Sequence, residues 1–253
     1  MTSSKVKLFF SEDADIQYVE TLKKTFDTIT EDCITGPSAP ELYLRLSSDG
    51  LSLVGKECVL QADFSADIKR LRHNNLTHEL LIKAAKSKNA VDSPTVIDAT
   101  AGLGEDSLLL AAAGYNVILY ERDPVIAALL RDALKRAGRH PELSCFVSRM
   151  TLHEKDSITA MTKLNAPPDA VYLDPMFPKR RKSALIKKKF QMIQMLEAPC
   201  SDENELLNAA LKSGAKKIII KRPADAPYLG GQKPSYSIKG STIRYDCIIP
   251  HQQ

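Results

Sequence analysis

Val96-Ile97-Asp98-Ala99-Thr100-Ala101-Gly102-Leu103-Gly104-Glu105-Asp106 is the stretch on which the reading of the chain turns. An apolar run ends at a carboxylate, crosses two glycines and enters a helical pattern, so it reads as strand, tight turn and helix start. Glycine at such a turn permits positive φ and close approach of a ligand. The N–H groups that open the helix can hold a ligand's polar end. The spacing Asp98-x-x-x-Gly102-x-Gly104 departs from the dinucleotide fingerprint, since Ser107 stands three positions past Gly104 where a further Gly or Ala is needed. A glycine pair preceded by a strand-end carboxylate fits S-adenosylmethionine better. That molecule has no pyrophosphate, and its cationic amino acid end is attracted by negative charge. Taken alone, the motif also fits an ordinary strand-to-helix turn.

Outward from this stretch, apolar strands alternate with helical patterns, the signature of βαβ units in a parallel sheet. Gly114 stops the first helix after about Ala113, and Val117–Tyr120 forms the next strand. Glu121 ends it, 23 positions after Asp98, near the spacing at which an acidic residue accepts hydrogen bonds from ribose hydroxyls. A solvent-facing strand-end Glu is the alternative. Asp123-Pro124 starts a helix with Val125, Ala128, Leu129 and Leu134 as its buried stripe, ending around Gly138. A third strand is expected near Leu143–Val147, leading to Asp156-Ser157. There the carboxylate could meet an adenine amine or cap a helix from Ser157 to Lys163.

Val171-Tyr172-Leu173-Asp174-Pro175-Met176-Phe177-Pro178 reads as a fourth strand that exits through an acid, two prolines and an aromatic ring. An exocyclic amine on a base is a poor nucleophile until acceptors hold its hydrogens. Asp174 and nearby carbonyls can be those acceptors, proline fixes them in advance, and Phe177 can stack on the base. Met176 stands where amino-methylating enzymes often have a second Pro, and a proline-rich strand exit with Phe177 in the core is the alternative. Lys179-Arg180-Arg181-Lys182-Ser183-Ala184-Leu185-Ile186-Lys187-Lys188-Lys189 follows at once, the densest positive charge in the chain. It is expected to bind RNA phosphates through Lys179, Arg180, Arg181, Lys182, Lys187 and Lys188, gaining affinity by counterion release. A merely solvated face is the other reading. A helix from about Asp202 to Lys212, a strand Lys217–Lys221 and a closing hairpin of Tyr236–Ile238 with Thr242–Ile249 complete this region.

Residues 1–75 read as a small β-rich domain. Val6–Phe10 is a strand and Ala14–Phe26 contains a short helix. Glu41–Leu46 and Leu51–Val54 flank the Asp49-Gly50 turn pair, and Val59–Phe64 is a further strand. The boundary falls at Arg70-Leu71-Arg72-His73-Asn74-Asn75, a possible nucleic-acid contact or a solvated linker, after which Thr77 is expected to cap a helix from His78 to Lys88. Length allows one core domain with a modest appendage in 253 residues. With 35 Lys and Arg against 31 Asp and Glu, net charge permits a polyanionic partner without requiring one. Five scattered cysteines without Cys-x-x-Cys spacing argue against disulfides or zinc. The histidines give no metal spacing. The polar N-terminus and the lack of a long apolar run imply a cytoplasmic, membrane-free protein that needs no metal.

Several of these motifs resemble the small-subunit ribosomal RNA methyltransferase J family: Asp98-Ala-Thr-Ala-Gly-Leu-Gly104, Glu121-Arg122, Tyr172-Leu-Asp-Pro-Met-Phe-Pro178, Lys182-Ser-Ala-Leu185 with Lys187-Lys188, Ile220-Lys221-Arg222-Pro223, and Arg244-Tyr245-Asp246. The resemblance covers most of residues 76–253 and is looser before them, where His73-Asn74-Asn75 replaces a more glycine-rich run. It implies a class I S-adenosylmethionine-dependent methyltransferase domain at 76–253, Rossmann-like and α/β, with a doubly wound, mostly parallel sheet and a small N-terminal α+β domain. It also implies methyl transfer to the N2 amine of a guanine in small-subunit ribosomal RNA. Cofactor contacts carry over to Glu105-Asp106, Glu121-Arg122, Asp156-Ser157 and Asp174. The chain departs from the family at Glu105, where Arg is usual, and at Asp156, where Ser is usual. From the turn motif alone, adenine N6 or a protein glutamine could take the methyl group, and a non-catalytic RNA-binding assembly factor could keep the same fold.

Overall fold

The computed structural model describes residues 6–30, 40–87, 92–175, 192, 193, 196 and 202–250. They fall into two compact units. One takes the described residues up to Asp63 with Asp123–Arg136, Met192, Ile193 and Leu196, and the other takes the rest.

In the first unit β1 (Lys7–Phe10), β2 (Thr28–Thr30), β3 (Leu42–Ser47), β4 (Gly50–Gly55) and β5 (Val59–Leu60) form one sheet in the order β2-β1-β3-β4-β5. The hairpin turns at Asp49-Gly50, where Gly50 has φ 109°, a conformation that glycine takes without Cβ strain. β1 is parallel to both its neighbours. Between β1 and β2 the Ile16–Leu22 helix is capped by Asp15, whose carboxylate accepts from the Gln17 and Tyr18 N–H groups. The Pro124–Ala137 helix belongs to this unit up to Arg136. There Arg136 Nε lies 2.8 Å from Asp132 and Arg136 also donates to the Ala62 carbonyl.

The second unit carries β6 (Thr95–Asp98), β7 (Asn116–Tyr120), β8 (Met150–His153), β9 (Ala170–Leu173), β10 (Lys217–Pro223), β11 (Tyr236–Lys239) and β12 (Ile243–Ile248). The sheet order is β11-β12-β10-β9-β6-β7-β8. Neighbours from β10 to β8 are parallel, and β12 is antiparallel to both β10 and β11. This is the expected α/β class. Chain order runs outward from β6 through β7 to β8 and resumes at β9 on the other side of β6, so the topological switch lies between β6 and β9. Ile97, Val171, Leu173, Ile218 and Ile220 bury one face of the sheet in a cluster with Leu206, Leu207 and Ala210 of the Glu203–Lys212 helix. In the closing hairpin Arg244 Nε donates to both Asp246 oxygens at 2.9 and 3.0 Å, and its Nη1 donates to the Pro223 and Ala224 carbonyls. The Arg244-Tyr245-Asp246 motif thus ties β12 to the end of β10.

Three local expectations are corrected. Leu143–Val147 is not a strand: Val147 and Ser148 donate back to the Leu143 and Ser144 carbonyls, making a helical turn at Ser144–Val147, and the strand is β8. A short apolar run of this kind fits either period. Thr77 does not open a helix, because its hydroxyl bonds to the Asn74 carbonyl and closes the His73–Leu76 turn; the next helix is Leu80–Ala85. The strand expected to reach Phe64 ends at Leu60, and Phe64 is buried at the start of a 3-10 turn. Arg70, in the polar segment, pairs with Asp67 at 2.8 Å and Glu79 at 3.0 Å. Among the described residues no helix is long and apolar enough to cross a membrane.

Candidate active site

The carboxyl ends of β10, β9, β6 and β7 lie side by side at the switch, where open α/β sheets form their ligand crevice. Asp98 ends β6. It is 1% exposed and accepts from the Ser107 hydroxyl at 2.6 Å and the Thr100 N–H at 3.1 Å. Burial, and then the charges of Asp106 and Asp174, push its pKa up to about 7 against the opposing pull of those two hydrogen bonds. The turn that follows needs its glycines: Gly102 has φ 54° and Gly104 φ 83°. Gly104 then leads into the Glu105–Ala112 helix, with Glu105 and Asp106 in its first turn. Glu105 is exposed.

Glu121 follows β7 and is buried, and its Oε2 accepts the Gly102 N–H at 3.0 Å. A carboxylate from the neighbouring strand therefore holds the glycine turn directly. Arg122 pairs with Asp202 at 2.8 Å. Asp156 accepts the Thr159 N–H at 2.9 Å and its hydroxyl at 2.7 Å, so it caps the Ser157–Met161 helix; Ser157 is buried. Of the two sequence readings of Asp156, the cap is the one visible in these contacts.

Asp174 lies just past β9. Its N–H donates to Thr100 Oγ1 at 2.7 Å, which links the ends of β6 and β9. Its Oδ2 is 2.9 Å from Lys221 Nζ on β10, and the same ammonium is 2.7 Å from Asp106 Oδ2. Asp106 Oδ2 also accepts the Tyr172 hydroxyl at 2.6 Å. Burial opposes the charge on Lys221, but Asp174 and Asp106 override it and hold the ammonium protonated well above its ordinary range. Burial and the same two carboxylates keep the Tyr172 phenol neutral well above its usual pKa.

The structure thus brings together Asp98, Gly102, Gly104, Asp106, Glu121 and Asp174. It adds Thr100, Tyr172 and Lys221, to which the sequence assigned no role. Phe177 and Lys179, Arg180, Arg181, Lys182, Lys187 and Lys188 lie outside the described residues. Among the described residues no group of three or more His, Cys, Asp or Glu side chains is placed to hold a metal ion.

Residues 33–250 match a family model described as "Putative SAM-dependent methyltransferase". The chain is 36% identical over 245 residues to a ribosomal RNA small subunit methyltransferase J of Neisseria gonorrhoeae, spanning 95% of this chain and 96% of that protein. It is 41% identical over 227 residues to the protein of the same name from Thioalkalivibrio sulfidiphilus, spanning 85% and 88%. The crystal structure of a SAM-dependent methyltransferase from Neisseria gonorrhoeae superimposes with a TM-score of 0.76 at 32% identity, covering 98% of this chain and 97% of that one.

Proposed function

The chain belongs to the ribosomal RNA small subunit methyltransferase J family, and we propose that the group it methylates is the exocyclic N2 amine of a guanine in that RNA. It is an S-adenosylmethionine-dependent rRNA methyltransferase. The observation that carries the amine reading is Asp174, fixed at the end of β9 by Thr100 and Lys221 beside the glycine turn.

The residues present fit the cofactor. A Cβ added at Gly102 would meet nothing nearer than the Thr100 carbonyl at 4.0 Å, so the turn keeps open space beside Glu121. We assign Glu121 to the ribose hydroxyls, since it follows β7 beside the glycine turn and a carboxylate that accepts the Gly102 N–H can accept further hydrogen bonds. Asp98, Gly102, Gly104, Glu105 and Asp106 form the wall facing the amino acid end, with Arg122, Asp156 and Ser157 toward the nucleoside. S-adenosylmethionine supplies a methyl group already activated on a sulfonium, so no metal is required.

The protein's own task is alignment. Asp174 accepts a hydrogen bond from the amine, localises its lone pair, and holds the proton that the amine sheds. Phe177 stacks on the extruded base. The basic run from Lys179 binds RNA phosphates, and we assign the protein to the cytoplasm on the strength of its RNA substrate.

Asp174→Ala tests the reading. In a single-turnover assay at saturating cofactor and RNA it should slow transfer by about a hundredfold to a thousandfold. A wild-type rate would refute the amine-acceptor role. Mapping N2-methylguanine in ribosomal RNA from cells lacking the protein then separates guanine N2 from adenine N6, and an unchanged N2-methylguanine map would refute the guanine assignment.

A further inference from the structure

We propose that Lys221 is a positioning residue for methyl transfer: its ammonium bridges Asp106 and Asp174 and holds the Asp174 carboxylate ionised and oriented toward the incoming amine. The proposal rests on the reading of Asp174 as the amine acceptor. Lys221 and Asp174 are neighbours by register, because parallel β10 and β9 pair Ile220 with Leu173 and the next residue on each strand is Lys221 and Asp174. The bridge is short on both sides, 2.7 Å to Asp106 and 2.9 Å to Asp174, and all three side chains are only a quarter to a third exposed, at 25%, 23% and 34%.

The backbone of Asp174 is already fixed by its N–H to Thr100 Oγ1. Lys221 adds a point of attachment on Oδ2, which bears on the direction of the carboxylate. A carboxylate has about four lone-pair sites, so one that meets an ammonium on Oδ2 can also accept from an amine. The bridge also balances charge. Asp98 feels both Asp106 and Asp174, and these three carboxylates converge from β6, the Glu105–Ala112 helix and the end of β9. Among the described residues, the other titratable groups near Lys221 are the phenols of Tyr172, which meets it on Asp106 Oδ2, and Tyr245, both neutral at ordinary pH; Glu105 bears on it more weakly, and Glu79 acts through Tyr245. Lys221 is thus a cation that Asp106 and Asp174 share.

Removing it crowds like charges, and the group that must stay ionised for catalysis is then the one driven toward protonation. Lys221→Met should lower the single-turnover rate at saturating cofactor by about a hundredfold, as misplacement of a reacting contact does. The acid limb of its pH–rate profile should move upward by about one to three pH units relative to wild type. Lys221→Arg keeps the charge, so its acid limb should stay at the wild-type position even where its rate is lower. Asp174→Asn with Lys221→Met should be no slower than Asp174→Asn alone, since Lys221 acts through that carboxylate.

An unmoved acid limb in Lys221→Met, or a double variant slower by the full factor of each single change, overturns the proposal. A wild-type rate for Asp174→Asn overturns the acceptor reading itself, whereas a slow Asp174→Asn beside a fast Lys221→Met overturns only the role of Lys221. Should Lys221→Met fail to fold, Lys221→Arg and the charge-balanced pair Asp106→Asn with Lys221→Met carry the same comparison. An upward-shifted limb in the arginine variant, or a pair whose limb moves as far as three uncompensated carboxylates require, counts against the bridge.

Discussion

Asp98 is nearly inaccessible, yet it carries a carboxyl whose pKa burial, and then neighbouring acids, raise to about 7. The folded chain therefore keeps a proton that the unfolded chain has already released, so this group's stabilising contribution is complete below the ordinary aspartate range and is lost as pH rises through about 7. Asp98→Asn can still accept from the Thr100 N–H and donate to Ser107 Oγ. In the cofactor-free protein it should flatten the part of the fall in Tm between about pH 4 and pH 7 that belongs to this group. Thermal scans of both proteins across that range check this; parallel curves would show that Asp98 is ionised throughout. Asp98, Glu121 and Asp174 were legible because each ends an apolar strand, and the chemistry of a class I site gathers at strand ends. Lys221 was not. A lysine closing the run Ile218-Ile219-Ile220 reads as a solvated strand end, and its partner Asp106 is 115 residues away, a pairing that only the sheet order creates.

Elements were legible where several local signals agreed. The Asp49-Gly50 hairpin and the glycine-rich strand-to-helix turn each combine a period with a residue that tolerates positive φ, and both form as expected. The Leu143–Val147 segment offered only apolar spacing, and its backbone closed into a helical turn instead. Asp156 illustrates an element-scale consequence. Its carboxylate takes both the N–H and the hydroxyl of Thr159, so Asp156→Ala should destabilise the protein by about 0.5–2 kcal/mol through loss of the cap. Chemical denaturation of the cofactor-free protein measures this directly. An unchanged midpoint would mean that the Ser157–Met161 turn is held by its packing alone.

For the molecule as a whole, alternating strands and helices announced the second unit's parallel sheet. The two parallel neighbours of β1 in the first unit had no local signal, since parallel pairing joins segments distant in sequence. Partner choice also belongs at this scale. Replacing Arg180, Arg181 and Lys182 together by Ala should make the salt dependence of RNA binding shallower by about three counterions while sparing cofactor affinity. Filter binding across a salt series decides it, and an unchanged slope would make the run a solubilising surface. The composition of the chain gives the site one more property. There is no tryptophan among its 253 residues and there are eight tyrosines, so emission excited beyond the phenylalanine band comes from phenols alone. Tyr172 donates its hydroxyl to Asp106 and lies 6.4 Å from the ring of Tyr245, close enough for the two rings to exchange excitation and for the carboxylate to quench it. The native protein therefore carries an unlabelled optical reporter at the strand ends of its parallel sheet, and a ligand that disturbs the Asp106 hydrogen bond announces itself as a change in brightness that Tyr172→Phe abolishes.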